Sequence, residues 1–400
     1  MRQQNSAGPL AGVRVIELGS VIMAPYAAQQ LGDLGADVIK VEPPQGDMTR
    51  EYHPQRHPGM GAFALNLNRN KRSAAIDLKA PHGRDALLAL LRTADVLITN
   101  VRPQALARLR LSYADVAQHN PDLIYASAQG FRADSAWGTH AAYDDIIQGV
   151  TGLVSLNQQV TGRPYFLPTV LVDKVCGLQI AQAVLAALHH RARGGSGQHI
   201  EVPMADTMLA FNLVEHLFGA TLQDEGEPGT FGYTRILTPQ RTAQRTADGW
   251  MCILPATDAH WSAFFGFAGR GELAADPRFR TVVDRAEHVD ELTTLAAELT
   301  PLHTTAEWQE FCDSVSIPAG PVLDLEAATA TEYARAGGLL VQAEHPTEGA
   351  YRVIGQPVRY SATPPPQVRH CPTIGQHTEQ VLREVGFDPA LLHQESRATA

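Results

Sequence analysis

Short runs of β-branched and aliphatic residues alternate with stretches of helical spacing from Val13 to about Val202. That alternation predicts a parallel sheet with crossover helices. Residues 13–18 read as the first strand, a helix follows Pro25 and ends near Gly35, and residues 37–42 form a second strand stopped by Pro43-Pro44. The unit repeats with a strand over 74–78, an amphipathic helix over 83–92, and strands over 95–100 and 123–128. From Asp173 to about Arg193, Val175, Leu178, Ala181, Val184, Leu185 and Leu188 fall on one helix face. Gly194-Gly195-Ser196-Gly197 ends that helix before a short strand over 199–202.

The texture changes beyond Gly219. Residues 224–232 are polar and glycine-rich, and Trp250-Met251-Cys252-Ile253-Leu254 opens a less repetitive region with helices around Trp261 and Trp308. From Gly337 strand-like runs return, with a last helix over 379–385. A chain of 400 residues also exceeds the usual size of one hydrophobic core. The expected organisation is α/β: a Rossmann-like large domain whose N-terminal part is 1–224, a smaller α+β domain at 225–325, and a segment 326–400 that returns to the large domain.

Charge and special residues narrow the function. A formal net charge of -10 argues against a nucleic-acid binder that depends on a broadly positive surface. Met1 to Leu10 lacks an apolar core of signal-peptide length, and no stretch reaches ~18 uninterrupted apolar residues. A cytoplasmic protein that does not use a membrane is expected. The four cysteines form no CxxC pair and no HExxH occurs, so neither a disulfide framework nor a metal site is expected.

Several common chemistries lack their motifs. The first strand–turn–helix, Gly19-Ser20-Val21-Ile22-Met23-Ala24-Pro25, has no second or third glycine of GxGxxG, which leaves a nicotinamide dehydrogenase weakly supported. Neither GxSxG nor GxxxxGK[ST] is present. Asp173 remains: it follows Pro168-Thr169-Val170-Leu171-Val172 and opens the apolar-faced helix, where position alone makes it an N-cap. The free N–H groups and dipole of a helix start also favour the ionised carboxylate that a nucleophile must be.

The ordered motifs around Asp173 resemble those of the family III CoA-transferases, the family of carnitine, formyl-CoA and succinyl-CoA:dicarboxylate CoA-transferases. They are residues 12–18 with Ala24-Pro25, residues 34–43, Gly46-Asp47-Met48-Thr49-Arg50, Asn68-Arg69-Asn70-Lys71-Arg72-Ser73, Asn100-Val101-Arg102-Pro103, Gly194-Gly195-Ser196-Gly197-Gln198 and Gly375-Gln376-His377-Thr378-Glu379. The resemblance implies that Asp173 attacks an acyl-CoA thioester and becomes an aspartyl-CoA thioester, and that the enzyme moves CoA to a small carboxylic acid with no tightly bound cofactor. It implies CoA contacts at Ile22, Met23 and Ala24, at Ile76, Asp77, Leu78 and Lys79, at Asn100, Val101, Arg102 and Arg108, and at Ala141, Ala142, Tyr143 and Asp144. It further implies an interlocked-ring homodimer.

Two positions depart from the pattern: Ala141 stands where formyl-CoA transferase-like relatives have a lysine, and Pro43 where they have an arginine. Gly226 to Gly232 is the nearest candidate for the family's glycine-rich loop. The related α-methylacyl-CoA racemases carry a His-Asp pair where this chain has Tyr143-Asp144, and tyrosine is a poor base at neutral pH. A racemase and a non-catalytic CoA-binding homologue are the alternatives. Residues 341–346 and 356–360 look similar to dicarboxylate-using relatives, which makes succinyl-CoA a candidate donor.

Overall fold

The computed structural model describes residues 8–222, 229–364 and 366–393. It divides into two compact units, one built from residues 1–151, 167–211 and 335–400, the other from 152–166 and 212–334. The first holds a six-stranded sheet of β1 (Arg14–Leu18), β2 (Asp37–Glu42), β3 (Lys71–Ala75), β4 (Val96–Thr99), β5 (Ile124–Gln129) and β6 (Gln198–Pro203), in the order β3-β2-β1-β4-β5-β6. Every neighbouring pair is parallel. β1 and β4 are buried throughout, as strands covered on both faces must be; β4 reads as a continuous apolar run, while β1 also buries Arg14 and Glu17.

β3 departs from expectation. It lies three residues earlier than the apolar run 74–78 that marked it. Its Lys71 and Arg72 are buried, each only 2% exposed, by ion pairing to Glu17 and to Asp37 and Glu384. A strand whose charges are neutralised inside the fold looks polar in sequence. β3 is also an edge strand, and the chain's last segment covers it: the His377 N–H donates to the Ser73 carbonyl at 2.9 Å, and the Thr378 hydroxyl accepts the Ala75 N–H at 2.9 Å. Arg14 and Arg72 both pair with Glu384 in helix Thr378–Glu384. Edge groups satisfied in this way cannot recruit another strand.

The long helix, Leu171–Ala192, packs on helix Met23–Asp33 and on β5 and β6. Its length and composition would suit a membrane span. Its buried side matches the expected one at Ala181 and Val184 and departs from it elsewhere. Val172, Asp173, Cys176, Gly177, Ile180, Ala181, Val184 and Ala187 face inward, while Leu178 and Leu185 are exposed. The helix is apolar nearly all round, so periodicity could not choose a face; small residues take the inner side because they allow close approach. A β-carbon on Gly177 would lie 2.9 Å from Tyr26 Cδ1 and 3.0 Å from the Met23 carbonyl oxygen.

The second unit has a three-stranded antiparallel sheet, Gln244–Arg245, Trp250–Ile253 and Ala319–Pro321. Its core gathers Phe264, Phe265, Phe279 and Trp308. Helices Asp258–Phe267 and Thr305–Ser314 carry Trp261 and Trp308.

Candidate active site

In a doubly wound sheet, ligands bind beyond the carboxyl ends of the strands, where the strand order reverses. Here that point lies between β1 and β4. The two loops that leave these strands are tied together: Asn100 Oδ1 accepts the Ser20 N–H at 3.0 Å, and Asn100 Nδ2 donates to the Ser20 carbonyl at 2.9 Å. Ile22, Met23 and Ala24 follow β1, and their side chains are buried. Ile76, Asp77, Leu78 and Lys79 leave the end of β3 in a turn in which Asp77 Oδ1 accepts the Lys79 N–H at 2.9 Å. Asn100, Val101 and Arg102 leave β4, and helix Pro103–Arg108 carries an exposed Arg108. Ala141, Ala142, Tyr143 and Asp144 come at the end of the loop after β5. Topology therefore brings all four segments to one edge of the sheet.

Asp173 sits one turn before Gly177, the point where the long helix touches the first turn of helix Met23–Asp33. The distance along the axis is ~5 Å to 6 Å. Asp173 is not the N-cap. The helix begins two residues earlier, Val170 takes the cap position, and Asp173 is the third helical residue. Its backbone N–H, left without a partner inside the helix as at any helix start, donates to Asp144 Oδ2 at 3.0 Å.

Asp144 is itself fixed. It is 5% exposed in helix Asp144–Val150, and Gln148 Nε2 donates to its other oxygen at 2.6 Å. Gln148 Oε1 accepts the Leu167 N–H at 3.0 Å, so the amide has one orientation. The sequence makes Asp144 a candidate CoA contact; in the structure its carboxylate accepts from the Asp173 N–H and from Gln148. Tyr143, immediately before it, is 65% exposed.

Burial, and then the neighbouring Asp144 charge, raise the Asp173 pKa from 3.8 to about 7. The dipole argument had favoured a firmly ionised carboxylate, but loss of water outweighs it. Such a carboxylate is available near neutral pH and, being poorly hydrated, is more basic than one in water. Cys176, one turn further, is pushed up to about 12 by burial, with Asp173 adding to it, and stays a thiol. Of the two buried acids on this turn, Asp173 is therefore the one that ionises near neutral pH.

A buried ionic cluster lies beneath the loop after β1 and carried no signal in the sequence beyond its motifs. Lys40 Nζ donates to Glu17 Oε1 at 2.7 Å, to Asp47 Oδ2 at 2.9 Å and to the Gly19 carbonyl at 3.0 Å. Burial works against the charge on Lys40, but Glu17 and Asp47 outweigh it and hold the pKa above the ordinary lysine value. Arg50 pairs with Glu42 through two nitrogens at 2.7 Å. Among the described residues no group of three or more His, Cys, Asp or Glu is placed to hold a metal ion. Residues 226–228 of the candidate glycine-rich loop lie outside the described residues, and Gly232 has a φ of +100° in the second unit.

The chain is similar to known proteins over most of its length. A succinate–glutarate CoA-transferase from Agrobacterium fabrum is 33% identical over 391 residues, covering 95% of this chain and 96% of the relative. A human succinyl-CoA:glutarate CoA-transferase is 29% identical over 382 residues, covering 95% and 87%. A crystal structure of a CaiB/BaiF family protein from Brucella suis superposes with a TM-score of 0.81 at 29% identity, covering 95% of this chain and all of that one. With residues 10–378 matching the family described as CoA-transferase family III, the chain belongs to that family and is a CoA-transferase.

Proposed function

We propose that the protein moves CoA from a dicarboxylyl-CoA donor, succinyl-CoA first among them, to a small dicarboxylic acid through an aspartyl-CoA thioester on Asp173. The reading rests chiefly on Asp173, buried at the start of the long helix with its pKa raised to about 7 and its N–H held by Asp144. The Asp173 carboxylate attacks the thioester carbonyl and expels CoA thiolate, leaving a mixed anhydride. The thiolate then attacks the Asp173 carbonyl of that anhydride and releases the donor acid as carboxylate. The acceptor carboxylate repeats both steps in reverse, and Asp173 is regenerated. One thioester replaces another, so neither ATP nor a metal is consumed, and covalent catalysis divides the exchange into easier steps.

The dicarboxylate preference is supported by relatives whose names pair succinate or succinyl-CoA with glutarate. CoA is read as contacting residues 22–24, 76–79, 100–102 and 141–144 together with Arg108, whose planar guanidinium suits phosphate oxygens. The test is a matrix of donors and acceptors: succinyl-CoA with glutarate is expected to exceed formyl-CoA with oxalate by about tenfold or more in kcat/KM, about 1.4 kcal/mol of transition-state preference. The reverse order would sink the dicarboxylate reading.

We also read the protein as a cytoplasmic interlocked homodimer. The exposed apolar side of the long helix, with Leu178 and Leu185, and exposed Leu209 and Phe211 in helix Met204–His216 support the association into a dimer, because such surface is ordinarily covered by a partner. Light scattering is expected to give twice the chain mass of 43.3 kDa. A monomer across the micromolar range would contradict it.

A further inference from the structure

The loop Gly19–Val21 is held in a shape it would not adopt alone. Among the described residues five non-glycine residues have positive φ, and Val21, at +67°, is the one that is β-branched. A β-branched side chain in that region is a true outlier and persists only where its surroundings impose it. Asp47 Oδ1 accepts the Val21 N–H at 3.3 Å, while Asp47 Oδ2 is fixed by Lys40, whose ammonium also holds the Gly19 carbonyl. Asn100 holds both backbone groups of Ser20 between them.

Asp47 is anchored in turn. Its N–H donates to Glu42 Oε2 at 3.0 Å, and its Oδ1 also accepts the Thr49 N–H at 3.0 Å and hydroxyl at 3.1 Å. Asp47 is 4% exposed and Lys40 fully buried. Neither can touch a CoA thioester directly, yet both fix the loop that delivers Ile22 and the first turn of helix Met23–Asp33 beside the turn of Asp173.

We propose that Asp47 and Lys40 are positioning residues: acting from inside the fold, they hold Gly19–Val21 in its strained shape and so form the CoA-binding face of the first loop. This rests on the reading of that edge as the CoA site. Preformed loops bind well because ordering has been completed in folding, and small displacements are expensive in affinity.

The test compares the wild-type protein with Asp47→Ala, Val21→Gly, Val21→Ala and the Asp47→Ala/Val21→Gly double variant, by calorimetric titration with free CoA, thermal melting and circular dichroism. Val21→Gly is expected to melt higher than Val21→Ala, which loses the same side-chain contacts, because glycine takes positive φ without strain. Asp47→Ala is expected to weaken CoA binding by about tenfold or more while remaining folded. Adding Val21→Gly to it is expected to recover at least about threefold of that loss, since glycine can reach the bound shape without the Asp47 bond. A folded Asp47→Ala protein with wild-type affinity, or a double variant no better than Asp47→Ala, overturns the proposal. So does a Val21→Gly protein that melts no higher than Val21→Ala, a result that can be read even if Asp47→Ala does not fold. If wild type itself fails to bind CoA, the transferase-site reading fails instead, and the melting result still decides whether the loop is strained.

Discussion

Replacing Asp173 with asparagine is expected to lower CoA transfer by about 10³-fold or more while raising the melting temperature. The loss follows because the amide cannot open a thioester and no neighbouring nucleophile can substitute: Cys176 is held as a thiol by burial. The gain follows from linkage. A pKa moved from 3.8 to about 7 corresponds to roughly 4 kcal/mol against the ionised form, an upper figure before relaxation. For an acid whose folded-state pKa is raised, stability is full below the unfolded value near 3.8, is lost as pH rises toward 7, and falls no further above it. Asp173→Asn should therefore melt a few degrees higher than wild type at pH 8, with the difference shrinking at pH 5. Sites that store such cost are where activity and stability oppose each other. Differential scanning calorimetry at the two pH values checks this, and an unchanged or lower melting temperature at pH 8 would contradict the burial argument.

The second large effect concerns pH and Asp144. Acylation requires the Asp173 carboxylate, so its rate in wild type is expected to fall almost tenfold per pH unit below about 7 and to level off above it. Asp144→Asn removes the negative charge beside Asp173 and should move that midpoint down by about half a unit or more. The same change leaves one oxygen where two now serve, since the carboxylate both accepts the Asp173 N–H and receives Gln148. Loss of that hold should cost about tenfold to a hundredfold in the plateau rate. Single-turnover acylation with stopped pH steps separates the two effects. A midpoint that stays at 7 in Asp144→Asn would mean that burial alone sets it.

What could be read from sequence divides along a physical line. β1, β2, β4 and β5 were legible because aliphatic residues run through them, even where Arg14, Glu17 and Lys40 are buried as ion pairs. β3 was not, because it opens on three consecutive polar residues, Lys71, Arg72 and Ser73, whose buried partners are distant in the chain. The inner face of the long helix was legible only in part: Ala181 and Val184 are buried as expected, but Gly177 makes the tight contact, and the larger Leu178 and Leu185 face out.

The recognition motifs also changed meaning. Gly46-Asp47-Met48-Thr49-Arg50 and Asn68–Ser73 supply the buried ionic framework under the sheet edge, with Asp47 on Lys40, Arg50 on Glu42 and Arg69 on Asp33. Gly375–Glu379 closes the β3 edge. They identify the family because they build its scaffold. Asp173 was found from its place at a helix start and the motifs around it, but its tie to Asp144 joins residues 29 positions apart and needed the fold.

The account turns on a covalent bond between Asp173 and CoA, and trapping it is the most direct measurement. Protein incubated with succinyl-CoA without acceptor, then treated with hydroxylamine or borohydride and digested, is expected to carry a hydroxamate or reduced residue at Asp173. Intact-mass analysis before trapping should show one CoA per chain, absent in Asp173→Asn. Labelling of another residue, or full transfer activity with Asp173 unmodified at every time point, would contradict the mechanism.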